Sequence, residues 1–418
     1  MARRSKMKIC LGLAALVVVF FLLPNVLFPT VLQSLEQEDP QFHRGKREKG
    51  QSRKHSVEIW SLTSAGVYLW LHILKGTLTS SAGGRLSVGE KEFGSWNIRF
   101  THGKGLAPEY IKPDTEYLVL ALNGRSEAVR STLFVWLQQI QALSQLKKVG
   151  LLLIGSEECE DRWLLSHLSS LPDIDKKISA VWMTYDYNLV DGRRFYQWPL
   201  GVATYRNFPS SSISSESLVH PRPYRCNFLG TVYQGSTRLA LPKILEDINV
   251  DQRNCFVKIR TEWVAHEKVD SMETYQHALR SSDLTLCPTG KNAESYRIYE
   301  AMAMGSVPVL ELADPTGTCQ SSVANSKLLP AGLSMMSLAE EIAGPYRLLK
   351  SLHAPVIYIN SWSDLPELIR KENLLSLEQV IGRRRRIVKW YSDFRETLAK
   401  AFMHGLDEMV HEERRMGN

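Results

Sequence analysis

Arg297 and Glu300 stand three residues apart in ESYRIYEAMAMGSVPVL (294–310). The flanking runs, LTLCP (284–288) and VPVL (307–310), read as buried strands. The segment between them reads as a helix that begins near Ala293 and stops at Gly305. Spacings of three are neighbours on a helix, so Glu294, Arg297 and Glu300 fall on connected faces. A carboxylate can accept both hydroxyls of a ribose, and a guanidinium can meet a diphosphate with two parallel bonds. An ordinary surface ion pair satisfies the same spacing.

Other residues ask for the same chemistry. FLGT (228–231) puts Gly230 and Thr231 at the end of a strand, where a glycine lets backbone approach a ligand. Ser236 and Thr237 can cap the helix that follows. Arg238 falls in the first turn of that helix, where the dipole disfavours a lone cation and an anion would relieve it. Arg260 closes the next strand, and Gly290 lies in the turn after LTLCP. Together these residues suit a nucleotide diphosphate.

The first half of the chain offers fewer signals. Asn123, Gly124 and Arg125 form a strand-to-helix turn that suits either an acceptor phosphodiester or a plain tight turn. Asp186 ends ISAVWMTYD (178–186), which places it on the ligand side of a sheet as a candidate general base, with Asp191 as the alternative and His102 behind both. Asp173 and Asp175 make the only D-x-D, in a proline-flanked stretch that reads as a loop, and no metal site is expected there. RRRR (383–386) reads as solvated charge, with attraction to a polyanion as its functional alternative.

These positions require a particular scaffold. Strand-like runs such as VEIW, EYLVLALNG, VGLLLIG and ISAVWMTYD alternate with amphipathic helical stretches from residue 57. A Pro- and Ser-rich stretch near 207–223 interrupts the alternation, which restarts at CNFLGTV. Alternation of this kind predicts two tandem Rossmann-like, doubly wound α/β domains, 57–208 and 224–375, with a long terminal helix over 376–418. Such sheets bind ligands at the carboxyl ends of their strands.

The chain has 418 residues, 44% hydrophobic and 23% charged, with a formal charge of +7. Residues 1–56 hold ten Lys/Arg and four Asp/Glu, so that segment carries +6 and the remainder only +1. A nearly neutral globular part does not support a nucleic-acid partner. Residues 9–32 carry no charge and are long enough to span a bilayer, with basic residues before them. This predicts a cytosolic tail (1–8), a signal anchor (9–32) and a charged flexible stem (33–56), and therefore a lumenal, oxidising location for the rest. Of six cysteines, Cys226 and Cys255 each open a strand, and neighbouring strands would pair them as a disulfide.

CPTGKNAESYRIYEAMAMGSVPVL resembles the donor-binding segment of exostosin-type GT-B glycosyltransferases. QWPLGVATYRNFP (197–209), RCNFLGT (225–231), SDLTLCP (282–288) and YRIYEA (296–301) resemble, over long stretches, the vertebrate ribitol-5-phosphate xylosyltransferases. The resemblance spans the globular part. It implies a GT-B fold, UDP-xylose as donor, no cofactor, and a ribitol-5-phosphate acceptor on the O-mannosyl glycan of α-dystroglycan. It further implies a β1,4 linkage formed with inversion, and a type II membrane protein of the Golgi beside other glycosyltransferases. An exostosin-like enzyme using another UDP-sugar, or a lumenal glycan-binding protein without turnover, remain the alternatives at this stage.

Overall fold

The computed structural model describes residues 54–416 apart from 82–83, 104, 159, 186–189, 212, 233, 249–253, 263, 265–267 and 313–344. The expected tail and anchor, most of the stem, Asp186, Cys159 and Cys319 lie outside these residues. Among the described residues no helix is long and apolar enough to cross a membrane. The first strand starts at His55, so residues expected at the end of the stem already belong to a sheet.

The first sheet is built from β1 (His55–Ser61), β2 (Thr79–Ser80), β3 (Ser87–Phe93), β4 (Trp96–His102), β5 (Tyr117–Asn123), β6 (Lys148–Ile154), β7 (Ile178–Met183) and β8 (Phe195–Gln197). Their order is β2-β3-β4-β1-β5-β6-β7-β8. Six strands run parallel, from β4 through β8, while β3 and β2 are antiparallel additions at one edge. β5, β6 and β7 are buried along almost their whole length, as central parallel strands must be. The helices around this sheet are α1 (Ser64–Tyr68), which continues as a π-helical turn, α2 (Glu127–Ile140), α3 (Arg162–Ser169) and the short α4 (Pro172–Asp175). The β2–β3 edge was not apparent in the sequence. SVGEKEF alternates weakly and sits half-exposed, so no apolar run announces it.

After α5 (Ser215–Val219), the second sheet gathers β9 (Tyr224–Thr231), β10 (Cys255–Arg260), β11 (Ser282–Cys287), β12 (Val307–Glu311) and β13 (Ile357–Ile359) in the order β10-β9-β11-β12-β13, all parallel. Its helices are α6 (Leu241–Ile248), α7 (Val269–Arg280), α8 (Tyr296–Ala303), α9 (Arg347–Ser351) and α10 (Leu365–Glu372). Cys226 and Cys255 are register partners on β9 and β10, their Cα atoms 4.4 Å apart, and they form a disulfide. Cys287 is a buried thiol that burial pushes up to about 12.

The terminal helix α11 (Leu377–Met416) ties the two sheets together. Near its start Arg384, 1% exposed, holds Asp283 of β11 and donates to the carbonyls of Leu218 and His220. Arg383 pairs with Glu372 of α10. The solvated-charge reading of RRRR is therefore corrected for these two; only Arg385 and Arg386 are exposed. Further along, α11 packs on the first sheet. Phe402 lies 4.8 Å from the Trp182 ring, and Asp407 and Glu412 accept bonds from Trp96 and Lys148. A Cβ on Gly150 would lie 2.6 Å from Met409, and one on Gly405 2.5 Å from Trp182, so both glycines let helix and sheet close together. Residues 54–418 accordingly form one compact unit.

Candidate functional site

A cavity of about 630 Å³ opens where the carboxyl ends of the two sheets meet. Gly230, Thr231, Arg238, Arg260, Gly290, Glu294, Arg297 and Glu300 all line it. Seven Lys or Arg side chains (125, 206, 238, 258, 260, 291, 297) face three carboxylates there (157, 294, 300). The lining thus carries an excess of four positive charges, which suits a polyphosphate.

Arg297 lies on α8, and its guanidinium donates to the carbonyl of Leu229 at 2.6 Å and sits over the Phe228 ring at 5.2 Å. A Cβ at Gly230 would come within 2.7 Å of Nη2 of Arg297. The glycine therefore makes room for the arginine as well as for a ligand. Arg238 donates to the Thr231 carbonyl at 3.0 Å. It sits in the 3-10 turn Thr237–Ala240 that leads into α6. The expected caps take other forms. Ser236 makes no side-chain capping bond, and the Thr237 hydroxyl lies 2.9 Å from that of Thr289.

Arg297 and Glu300 do not serve as a plain ion pair. Glu300, 3% exposed, accepts from the Ala203 amide at 3.0 Å and the Tyr275 hydroxyl at 2.6 Å. Burial raises its pKa, and these two bonds oppose the rise. Glu294 precedes the helix, since α8 begins at Tyr296 rather than near Ala293. Its carboxylate accepts from the Leu200 amide at 2.8 Å and from the Tyr299 hydroxyl. Both carboxylates therefore grip the 198–203 segment that leads from the first sheet to the second, a duty the sequence gave no reason to expect.

The first half contributes differently from expectation. Of the 123–125 turn only Arg125 reaches the cavity. Asn123 accepts from the Arg125 amide at 3.0 Å, which closes an Asx turn, and a Cβ on Gly124 would meet the Trp163 ring at 2.7 Å. These two residues shape the turn. Asp191 is likewise corrected. Its Oδ1 accepts from the amides of Arg193, Arg194 and Phe195, and the residue is not among those lining the cavity. His102 Nδ1 lies 2.8 Å from the Ser61 carbonyl. Asp175 pairs with Arg194 and Asp173 lies 3.9 Å from Lys176, on the short helix α4 rather than in a loop.

Glu157, Tyr185, Tyr205, Arg206 and Tyr296 line the cavity without having been anticipated. Arg125 donates to the Tyr185 hydroxyl at 3.0 Å and lies 3.3 Å from Glu157. Burial works against the Arg125 charge, but Tyr185 and Glu157 outweigh it and raise its pKa. Tyr205 and Tyr296 meet edge to face at 5.7 Å, and burial lifts the Tyr205 phenol to about 12. They lie in loops, in the 3-10 turn Thr204–Arg206 or at the start of α8, which only the fold brings to the cleft; the sole local hint was the aromatic-rich ATYRNF.

Residues 57–199 match a family model described as the RXYLT1 N-terminal domain, and residues 205–410 one described as the RXYLT1 C-terminal domain. Ribitol-5-phosphate xylosyltransferase 1 of Danio rerio is 36% identical over 370 residues, covering 88% of this chain and 80% of that protein. The proteins of the same name from Mus musculus and Homo sapiens are also 36% identical, each over 84% of this chain and 75% and 76% of their own lengths. Among solved structures, an α-glucosyltransferase in complex with UDP and DNA aligns over 85% of this chain at 10% identity with a TM-score of 0.47. Two family models that together span the globular part, and three relatives matched over most of their lengths, establish that the chain belongs to the ribitol-5-phosphate xylosyltransferase 1 family.

Proposed function

We propose that the cavity binds UDP-xylose and that the enzyme transfers xylose, with inversion, to ribitol-5-phosphate on the O-mannosyl glycan of α-dystroglycan. The observation that carries this reading is the gathering of Arg238, Arg260 and Arg297 with Gly230 and Gly290 at the carboxyl edge of the second sheet. Guanidinium groups fixed there neutralise charge as the diphosphate leaves. Glu300 and Glu294 line the cavity beside these cations, and in this reading their carboxylates accept the hydroxyls of the nucleoside ribose. Arg125 and Arg206, on the opposite wall, suit an acceptor phosphodiester. Two largely parallel sheets facing one cleft, clasped by a terminal helix, fit a GT-B architecture.

A Golgi location with a single N-terminal anchor belongs to the same proposal. The uncharged run 9–32 with basic residues before it supports the anchor. The Cys226–Cys255 disulfide suits an oxidising lumen. With cations supplying the charge, transfer is expected to survive chelation by EDTA. The test is to incubate the purified full-length chain with a panel of UDP-sugars and a ribitol-phosphate acceptor. UDP-xylose alone should give product. Preferred use of another UDP-sugar, or binding without turnover, would replace this reading.

A further inference from the structure

Inversion needs a base for the acceptor hydroxyl, opposite the departing diphosphate. Three carboxylates line the cavity among the described residues, and two of them, Glu294 and Glu300, are from the second half and hold the amides of Leu200 and Ala203. We infer that Glu157, the carboxylate that the first sheet brings to the cavity, is the general base of the transfer, a step that rests on the donor reading above.

Glu157 is placed by a fixed turn. It lies three residues beyond the end of β6, on the ligand edge of the first sheet. The Asp161 carboxylate accepts from the Ser156 amide at 3.0 and 3.1 Å, and the Ser156 hydroxyl accepts from the Glu158 amide at 3.2 Å. A Cβ at Gly155 would crowd Asp161 at 2.8 Å and the Thr184 carbonyl at 2.9 Å, so the turn is close-packed on both sides.

The turn is also docked on the donor side of the cleft. Asn292 Nδ2 donates to the Glu157 carbonyl at 3.0 Å, and Lys291 lies 3.5 Å from Glu158. Asn292 belongs to the loop that carries Gly290 and Glu294, and its own side-chain oxygen accepts from the Glu294 amide at 2.8 Å. The backbone that carries the carboxylate is therefore tied to the loop that edges the proposed diphosphate site. It is oriented by a further pair: Arg125 Nε lies 3.3 Å from Oε1, and the Tyr185 hydroxyl donates to the same oxygen at 3.4 Å. A base steered by fixed neighbours and exposed to a cleft is the arrangement that proton abstraction requires.

The step balances. The acceptor hydroxyl oxygen bonds to C1 of xylose while the C1–O bond to the diphosphate breaks. That electron pair leaves with UDP, and the hydroxyl proton moves to the Glu157 carboxylate, which later returns it to water.

The experiment combines steady-state kinetics with calorimetric UDP binding on full-length wild type, Glu157→Gln, Glu157→Asp and Asp186→Asn. General-base loss is worth about 10²–10⁴-fold in turnover. The expected result for Glu157→Gln is a fall in kcat of that size with UDP affinity and donor KM within about threefold of wild type, the split expected of a group that acts only in the transition state. Glu157→Asp should recover part of the rate. A kcat close to wild type in Glu157→Gln with normal UDP binding overturns the assignment alone, as does the large loss appearing in Asp186→Asn instead. UDP affinity falling in step with kcat would make Glu157 a support for the donor loop and also overturn it. A wild-type chain that turns over without binding UDP removes the donor reading, and this inference with it.

Discussion

Gly230 and Gly124 both lie at the carboxyl end of a parallel strand with an arginine nearby, yet they face opposite kinds of neighbour. A side chain at Gly230 would collide with the tip of Arg297, and one at Gly124 with the ring of Trp163. The first neighbour is the tip of a long cationic side chain in the cavity. The second is a packed indole, bonded to Asp161 at 3.0 Å and covered by Arg130 at 4.6 Å. The second sheet uses its edge to hold charge at a site, whereas the first uses the corresponding edge largely to build turns. A glycine after a strand therefore marks close approach in both halves, and only the identity of what approaches tells site from scaffold.

The largest expected effect tests the charged edge. Arg297→Ala removes the cation that is to stabilise the departing diphosphate while leaving the AMAMGSVPV packing intact. One charge-assisted contact is worth about 1.5–3 kcal/mol, so kcat should drop roughly ten- to a hundredfold. Turnover should suffer more than donor affinity, because charge grows on the diphosphate as the bond breaks. Steady-state kinetics with UDP-xylose, on protein whose circular dichroism matches wild type, decides this. An unchanged kcat would return Arg297 to a merely structural role against Leu229 and Phe228.

The glycine pair sharpens the comparison directly. Gly230→Ala should cost activity and little stability, because the flexible Arg297 tip can swing away from the new methyl and leave its position. Gly124→Ala should do the reverse. The Trp163 ring cannot yield without disturbing its bonds, and such overpacking costs about 1–3 kcal/mol. Denaturant midpoints and kcat/KM measured on both variants should cross. Equal losses of stability in the two would erase the distinction between site and scaffold.

The same contrast explains what the sequence made legible. The cationic edge of the second sheet was readable because its parts are local: Gly230 and Arg260 close neighbouring strands, Arg238 follows the first of them, and Arg297 and Glu300 share one helix. The two-sheet scaffold was readable because buried strands such as VGLLLIG are nearly continuous apolar runs. The opposite wall of the cavity was not. Glu157 and Tyr185 come from separate loops and Arg206 from a 3-10 turn, and they come to one cavity only after folding, whereas Asn123 and Asp191 carried plausible chemistry that their own backbone neighbours consume. Glu294 and Glu300 were found for ligand chemistry, but their grip on Leu200 and Ala203 depends on a contact about a hundred residues away in sequence. The half-exposed strand β3 escaped for a different reason, since its alternation is too weak to separate from a loop.

That grip leads to a smaller effect. Glu300→Gln retains an oxygen for the Ala203 amide but loses the charge that receives the Tyr275 hydroxyl and that the donor reading assigns to the ribose. A neutral hydrogen bond is worth about 0.5–1.5 kcal/mol, so donor KM should rise roughly two- to tenfold with kcat little changed. A large fall in kcat instead would mean that the 198–203 segment sets the closure of the cleft, and that Glu300 acts through it.

The smallest effect separates the interiors of the two halves. The second buries a cation, Arg384, with its counter-charge Asp283 beside it. The first buries His72, 3% exposed, whose Nε2 has no hydrogen-bond partner. Burial, with the Arg395 charge added, lowers the His72 pKa to about 4 from an ordinary 6.5. The folded chain therefore keeps this imidazole neutral over a range where the unfolded chain protonates it. Stability from this group is present above pH 6.5 and is lost as pH falls toward 4. Between pH 6.5 and 5.5 the loss should be about 1 kcal/mol. Urea midpoints at the two pH values, compared between wild type and His72→Phe, isolate the contribution, because the variant lacks the titrating group. An identical pH response in both proteins would show that the first half carries no buried neutral imidazole in solution.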